Sequence, residues 1–270
     1  MDLWRALFLG GLQGVTEFWP VSSSGHLTIV PWLLGWPLPA LSFDAVLHLG
    51  TLLAVLLVFW RDILQLLAAW WRSILARKVD GQARIAWCIL IATVPGALAG
   101  FFLDDLFETV FASPIWVAIF LLLTGVILVI GERLSRTGRP LEALGWKGAV
   151  AIGLAQAVAI APGISRSGAT IAAGLGLGLQ RREAARFSFL LSIPIILGAG
   201  GSQLLHLLKG GAEELTWSAL GAGFLAALVS GYLCIRFLLS FLQRGRLYVF
   251  ALYCWGVGLI TLAVWALRGA

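Results

Sequence analysis

Charge is scarce in this sequence. Only 12% of the 270 residues are Asp, Glu, Lys or Arg, about half the share of an average soluble domain. That scarcity excludes a disordered chain, and with 60% hydrophobic residues it excludes a soluble enzyme. Cysteine is also rare. Cys88, Cys234 and Cys254 lie far apart in apolar stretches, so no disulfide framework, CxxC redox pair or cysteine metal site is expected. The segment Met1 to Leu12 lacks a basic start, a long apolar run and a cleavage site, so no removable signal peptide is expected. What is abundant is apolar length. The mean hydropathy is +0.95, which requires a protein that sits in lipid. A net charge of +6 then reads as basic cytoplasmic loops, with no nucleic-acid partner expected.

Apolar segments near 43–60, 85–103, 115–131, 187–207, 216–242 and 248–267 are each long enough to cross a bilayer as a helix. Tryptophans near their ends, such as Trp60, Trp70, Trp71, Trp217 and Trp265, read as an interfacial belt. Two further stretches, about 5–38 and 148–180, are broken by Gly, Pro and Ser and carry polar groups. Such segments are tolerated at membrane depth only when buried in protein or lining a cavity. Segments 61–84, 132–147, 181–186 and 243–247 are basic, whereas 104–114 and 208–215 are acidic or mixed. The positive-inside rule places the first four in the cytoplasm and the other two outside. Each broken segment then enters and leaves on one side, as a re-entrant hairpin, and the two dip in from opposite faces.

The chain also resembles itself. Leu9 to Val15 is similar to Ile152 to Val158, Ser22-Ser23-Ser24-Gly25 matches Ser165-Arg166-Ser167-Gly168, and Phe43 to Leu47 is similar to Phe187 to Leu191. The predicted architecture is all-α and integral to the membrane. It is a single domain of six transmembrane helices plus two re-entrant helical hairpins, arranged as an inverted-topology repeat of about 1–135 and 145–270. Interrupted segments at matching positions mark the binding site in such folds.

Ionisable groups inside apolar segments are costly and concentrate at functional sites. In the hairpins they are Glu17, His26 and Arg166. Gln13 and Glu17 share a helical face, and Pro20 should end that helix before Ser22, Ser23, Ser24 and His26. In the second hairpin Ser165, Arg166, Ser167 and Thr170 combine a guanidinium with hydroxyls and a Gly-rich turn, a set suited to phosphate oxygens. A plainer reading makes Glu17 and Arg166 a structural ion pair, the serines caps and His26 a structural histidine. Asp44 and His48, also four apart, either face the same cavity or sit at the outer interface. Arg236 reads as a snorkelling side chain and His206 as an interface residue.

The stretches GLQGVTEFWPVSSSGHL (11–27) and PGISRSGAT (162–170) resemble the two signature regions of the undecaprenyl pyrophosphate phosphatase family, the bacitracin-resistance phosphatases. FDAVLHLGTLLAV and RFSFLLSIPIILGA are similar too, so the resemblance spans essentially the whole chain. It implies hydrolysis of undecaprenyl pyrophosphate to undecaprenyl phosphate and inorganic phosphate in the bacterial inner membrane, with the active site facing the periplasm. That reaction recycles the lipid carrier for cell-wall synthesis. It also implies dependence on Mg²⁺ or Ca²⁺. The family's motifs fall on Gln13 and Glu17, on Ser22, Ser23, Ser24 and His26, and on Ser165, Arg166 and Ser167. Gln13 replaces a carboxylate that the motif also allows, so the expected cation bridges Glu17 and the substrate's diphosphate rather than filling an all-protein cage.

The expected roles are charge stabilisation by Arg166, positioning or proton transfer by Glu17, and attack by Ser23 with His26 assisting, by His26 itself, or by water that one of them activates. Ser22, Ser24, Gln13, Ser165, Ser167 and Thr170 are expected to bind substrate. Inverted repeats with broken helices also suit a polyprenyl-phosphate flippase using the same anion site. An intramembrane serine hydrolase would leave Arg166 unexplained. Runs such as Gly174 to Gly178 would allow the close helix packing of a homodimer.

Overall fold

The computed structural model describes residues 1–111, 113–135, 138–208 and 216–268, with side chains for all of these except 103–111 and 202–208. The acidic side chains expected outside at 104–111, segment 209–215, Arg136 and the His206 side chain lie outside the described residues. The described chain is helical. Its helices are α1 Leu3–Phe18, α2 Ser23–Leu34, α3 Leu41–Ala76, α4 Gly81–Phe111, α5 Pro114–Leu134, α6 Trp146–Val158, α7 Arg166–Gly176, α8 Arg181–Leu208, α9 Trp217–Phe241 and α10 Tyr248–Leu267, with a 3₁₀ turn at Leu141–Ala143 before α6. Among the described residues six helices (α3, α4, α5, α8, α9 and α10) are long and apolar enough to cross a membrane. They coincide with the six segments read from the sequence. Leu57, Leu64, Phe101, Leu233 and Leu259 are all at least half exposed, as lipid-facing residues must be.

The two broken segments fold as short helix pairs. Pro20 stops α1, and Trp19 before it is extended (φ −63°, ψ 141°), as a residue preceding proline prefers. The second break falls at Pro162-Gly163. Gly163 has φ +98°, and a Cβ there would collide with the Val117 carbonyl oxygen, so only glycine serves. Each pair closes on itself. Arg5 lies 5.1 Å over the Trp36 ring, and Phe8 meets Trp36 edge-on, joining the start of α1 to the end of α2. In the second pair, a Cβ at Gly148 would touch Leu177 at 3.5 Å. α1 packs on α9 and α6 on α4, while α3 meets α8 and α5 meets α10.

One element differs from expectation. Segment 61–84 reads as a basic loop, yet α3 continues through it to Ala76, with a kink at Phe59 (φ −106°, ψ 17°). The cause is an apolar stripe. Leu66, Ala69 and Ser73 are buried, while Arg61, Leu64, Leu67 and Arg72 are exposed. That is the spacing of one helical face. Ser73 Oγ also accepts the Trp87 indole N–H at 3.1 Å, fixing this half of α3 to α4. The glycine run at 174–178 is used within the chain, where Gly174 packs against Ala184 of α8.

The basic segments converge at one end of the molecule. Glu132 receives both guanidinium nitrogens of Arg181, at 2.6 and 2.7 Å, and the Leu247 N–H at 3.0 Å. Arg186 pairs with Asp62 and with Glu183, and Arg84 donates to the Glu142 carbonyl. Replacing Glu132 by alanine would strand Arg181 and an amide in a buried setting. The expected loss is about 3 kcal/mol, the low end for such a pair because the Arg181 side chain is partly exposed. It would be read as a lowered melting temperature in detergent, with a milder loss in Glu132→Gln.

Candidate active site

The tips of the two helix pairs touch. A Cβ on Gly25 would lie 3.4 Å from the Gly163 Cα, and Ser167 Oγ donates to the Trp19 carbonyl at 3.0 Å. The tips are built alike. Ser22 caps α2 by accepting the Gly25 N–H at 3.2 Å, and Ser165 caps α7 by accepting the Gly168 N–H at 3.0 Å. Such caps satisfy N–H groups that the helix start leaves unpaired. The Ser22 and Ser24 hydroxyls are 3.3 Å apart, and those of Ser165 and Ser167 3.2 Å. Thr124 of α5 braces the second tip, donating to the Gly163 carbonyl and accepting the Ser165 N–H. Thr170 donates back to the Arg166 carbonyl and meets the Ser188 hydroxyl at 2.7 Å. It buttresses α7 from behind.

Glu17 is the hub. Its side chain is buried, and it collects groups from both tips. Arg166 Nη2 donates to Oε1 at 2.6 Å, Ser23 Oγ donates to Oε2 at 2.6 Å, and Gln13 Nε2 donates to Oε2 at 3.2 Å. Among the described residues, Arg166 Nη1 and Gln13 Oε1 have no hydrogen-bond partner. A guanidinium whose unpaired nitrogen is buried is a donor prepared for an anion. Glu17, Ser22, Ser23, Ser24, Ser165 and Arg166 line one cavity of about 720 Å³, large enough for a ligand head group.

His26 departs from its expected role. Its Nδ1 meets the Ser22 carbonyl at 2.7 Å. A carbonyl only accepts, so Nδ1 carries the proton. In the neutral ring Nε2 then accepts from the Tyr253 hydroxyl at 2.8 Å, and the two rings stack. His26 is 2% exposed; its ring nitrogens bond Ser22 and Tyr253 rather than the Ser23 hydroxyl, and it is not among the residues that line the cavity. It holds the Ser22 carbonyl while Ser22 sits at φ +70°, a conformation that costs a non-glycine residue free energy and clusters at functional sites. The carboxylate beside the Ser23 hydroxyl is that of Glu17.

Asp44 and His48, left open by the sequence, both line the cavity. The Asp44 carbonyl accepts from His48 Nδ1 at 2.9 Å. That bond turns Nε2 toward Glu17 Oε2, 3.6 Å away. The Asp44 carboxylate lies 3.6 Å from the same imidazole. His48 thus stands between two carboxylates, those of Glu17 and Asp44. Its replacement by alanine is expected to slow turnover roughly 10–100-fold, the scale of losing a group that orients a reacting side chain. His48→Gln, whose amide can turn an N–H toward Glu17, should lose less. Steady-state rates on folded protein would check both.

The fold and site define a class: a polytopic helical membrane protein with a buried serine–carboxylate–guanidinium centre formed by two broken helices. The chain belongs to the family described as bacitracin resistance protein BacA, whose sequence model matches residues 6–260. It is 46% identical to the undecaprenyl-diphosphatase of Rubrobacter xylanophilus, with 98% of each chain covered. It is 42% identical to that of Thermomicrobium roseum, again over 98% of each. With that of Desulforudis audaxviator it is 43% identical over the full length of both.

Proposed function

We propose that this protein is an undecaprenyl-diphosphatase, hydrolysing undecaprenyl diphosphate to undecaprenyl phosphate and inorganic phosphate. The observation that carries the reading is the Glu17 carboxylate in contact with both Ser23 and Arg166, groups supplied by two separate helix breaks. Relatives named for this activity match over nearly the whole chain. Transport without hydrolysis would leave the 2.6 Å serine–carboxylate pair without a role.

In the proposed reaction the diphosphate enters the cavity with its tail along the apolar wall of Leu38, Leu41, Ile195 and Ile196. Arg166 turns its free Nη1, and then its charge, to the terminal phosphate. That releases Glu17 Oε1 from the guanidinium and leaves Oε2 to take the Ser23 proton. Ser23 Oγ attacks the terminal phosphorus, the bridging P–O bond breaks, and prenyl phosphate leaves with the proton that Glu17 took from the serine, which restores the carboxylate. Water then cleaves the phosphoserine, with Glu17 accepting its proton, and phosphate departs. Transfer of this kind depends mainly on positioning and charge stabilisation.

For the divalent cation, Glu17 and Asp44 are the carboxylates that line the cavity. Among the described residues no cluster of three or more His, Cys, Asp or Glu is arranged to hold a metal. The donor set therefore suits a cation that draws its other oxygens from diphosphate and water. Such an ion would neutralise charge on the phosphates.

The two halves, about 1–135 and 145–270, are read as inverted copies whose short helix pairs are re-entrant. The matched packing of α1 on α9 and α6 on α4 supports this, as do the matched serine caps. The basic segments are tied together at one end, which the positive-inside rule makes cytoplasmic. Leu38 and Pro39 of the α2–α3 connection line the cavity at the opposite end of α3 from its basic segment, which supports a site on the periplasmic side of the inner membrane. The testing experiment is phosphate release from undecaprenyl diphosphate by purified protein in detergent, with and without a chelator. Release that stops on chelation and returns with Mg²⁺ or Ca²⁺ is expected. Lipid movement between leaflets with no phosphate released would contradict the reading.

A further inference from the structure

Gln156 has the sequence position in the second half that Gln13 has in the first. Gln13 donates to Glu17. In the second half the place of Glu17 is taken by Ile160, so Gln156 has no carboxylate to bond. Its side chain is 3% exposed and sits among Ala159, Ile160 and Ile196 on the wall of the same cavity as Arg166. One Nε2 hydrogen reaches the Ala92 carbonyl at 3.4 Å, and Oε1 has no partner among the described residues. An amide oxygen left unpaired in apolar surroundings is a standing cost that leucine would avoid. The helix beside it is cut back to seat the amide. A Cβ at Gly96 would come 2.7 Å from Nε2 and 3.2 Å from Cγ, and Gly96 lines the cavity too.

We propose that Gln156 is a substrate-contacting residue that recognises the terminal phosphate of the diphosphate. The proposal rests on the phosphatase reading above. With Nε2 half used, the carboxamide has one acceptor and one donor to offer after a turn about its last bond. That pair complements a monoprotonated phosphate, which presents one P–OH and one P–O⁻ on the same edge. The inner phosphate of the diphosphate carries no hydroxyl and cannot satisfy Oε1. Gln156 therefore favours ligands that end in a free phosphate, including the inorganic phosphate product, over phosphodiesters. No covalent step passes through it, so its effect falls on binding.

The test measures KM, kcat and inhibition by inorganic phosphate for wild type, Gln156→Leu, Gln156→Glu and Gly96→Ala, beside their melting temperatures. Gln156→Leu should raise KM and the phosphate inhibition constant together, by roughly tenfold, with kcat nearly unchanged and no loss of melting temperature. Gln156→Glu should raise both further, because an added carboxylate repels the phosphate. Gly96→Ala, which leaves the amide in place but pushes it aside, should move KM the same way. Folded Gln156→Leu with unchanged KM and unchanged phosphate inhibition overturns the proposal. So does a lowered melting temperature with unaltered KM, the signature of a purely structural bond to Ala92. If Gln156→Leu does not fold, an unchanged KM in Gly96→Ala overturns it. Wild-type protein that releases no phosphate overturns the phosphatase reading itself, a result distinct from an active wild type and an unaffected variant.

Discussion

Arg166→Ala is expected to lower phosphate release by roughly 10³–10⁵-fold, the range associated with an arginine that stabilises a transferring phosphoryl group. Arg166 is the cationic side chain that reaches Glu17 across the two tips, and its Nη1 is unpaired. The fold should survive the change. Glu17 keeps Ser23, Gln13 and His48 as neighbours, and α7 keeps its Ser165 cap and the Thr170–Ser188 bond. Arg166→Lys should recover only part of the activity. An ammonium restores the charge but not the planar fork that can bind phosphate oxygens through two nitrogens. Rates on protein with an unchanged melting profile decide the matter. Near wild-type turnover in folded Arg166→Ala would reduce the Glu17–Arg166 contact to a structural ion pair.

Ser23→Ala is expected to lower turnover on the order of 10⁴-fold or more, as loss of an attacking group does. Its hydroxyl is the donor at 2.6 Å from the carboxylate, the arrangement that lets a base take the proton as the oxygen attacks. Wild-type enzyme quenched during turnover should carry phosphate on Ser23, seen by mass spectrometry of the peptide. His26→Phe should cost much less. It loses the Ser22 and Tyr253 bonds that support the tip, yet leaves the serine–carboxylate pair in place. A phosphate adduct on His26, or a Ser23→Ala enzyme faster than His26→Phe, would reverse these roles.

Local chemistry made much of this readable. Pro20 marks the first helix break, which is where the sequence placed it; the second stretch was legible only as broken by Gly, Pro and Ser, and its turn contains Pro162-Gly163. Glu17 and Arg166 stood out because a charge in an apolar segment is expensive. That they meet is a tertiary fact, visible in the sequence only through the matching positions of Ser22 to Gly25 and Ser165 to Gly168. The partner of Ser23 was not readable. His26 lies three residues on and invites pairing, but α2 starts at Ser23 and turns the imidazole back to the Ser22 carbonyl. Asp44 and His48 lie near a span end, where an interfacial pair and a cavity pair share one i,i+4 pattern. The helical run of 61–76 was masked by its arginines, since loop charge and the polar face of an amphipathic helix have the same composition. Glu132 and Arg181, in segments that read as solvated, instead form a buried lock between α5, α8 and α10.

The central claim is that Glu17 joins the two helix breaks into one catalytic site. Its most direct test is Glu17→Gln, which keeps the shape of the side chain and removes its charge. Phosphate release from undecaprenyl diphosphate would be measured beside wild type at matched melting temperature. The account predicts a fall of about 10²–10⁴-fold, the contribution of a positioned general base. Folded Glu17→Gln that releases phosphate at the wild-type rate would contradict it.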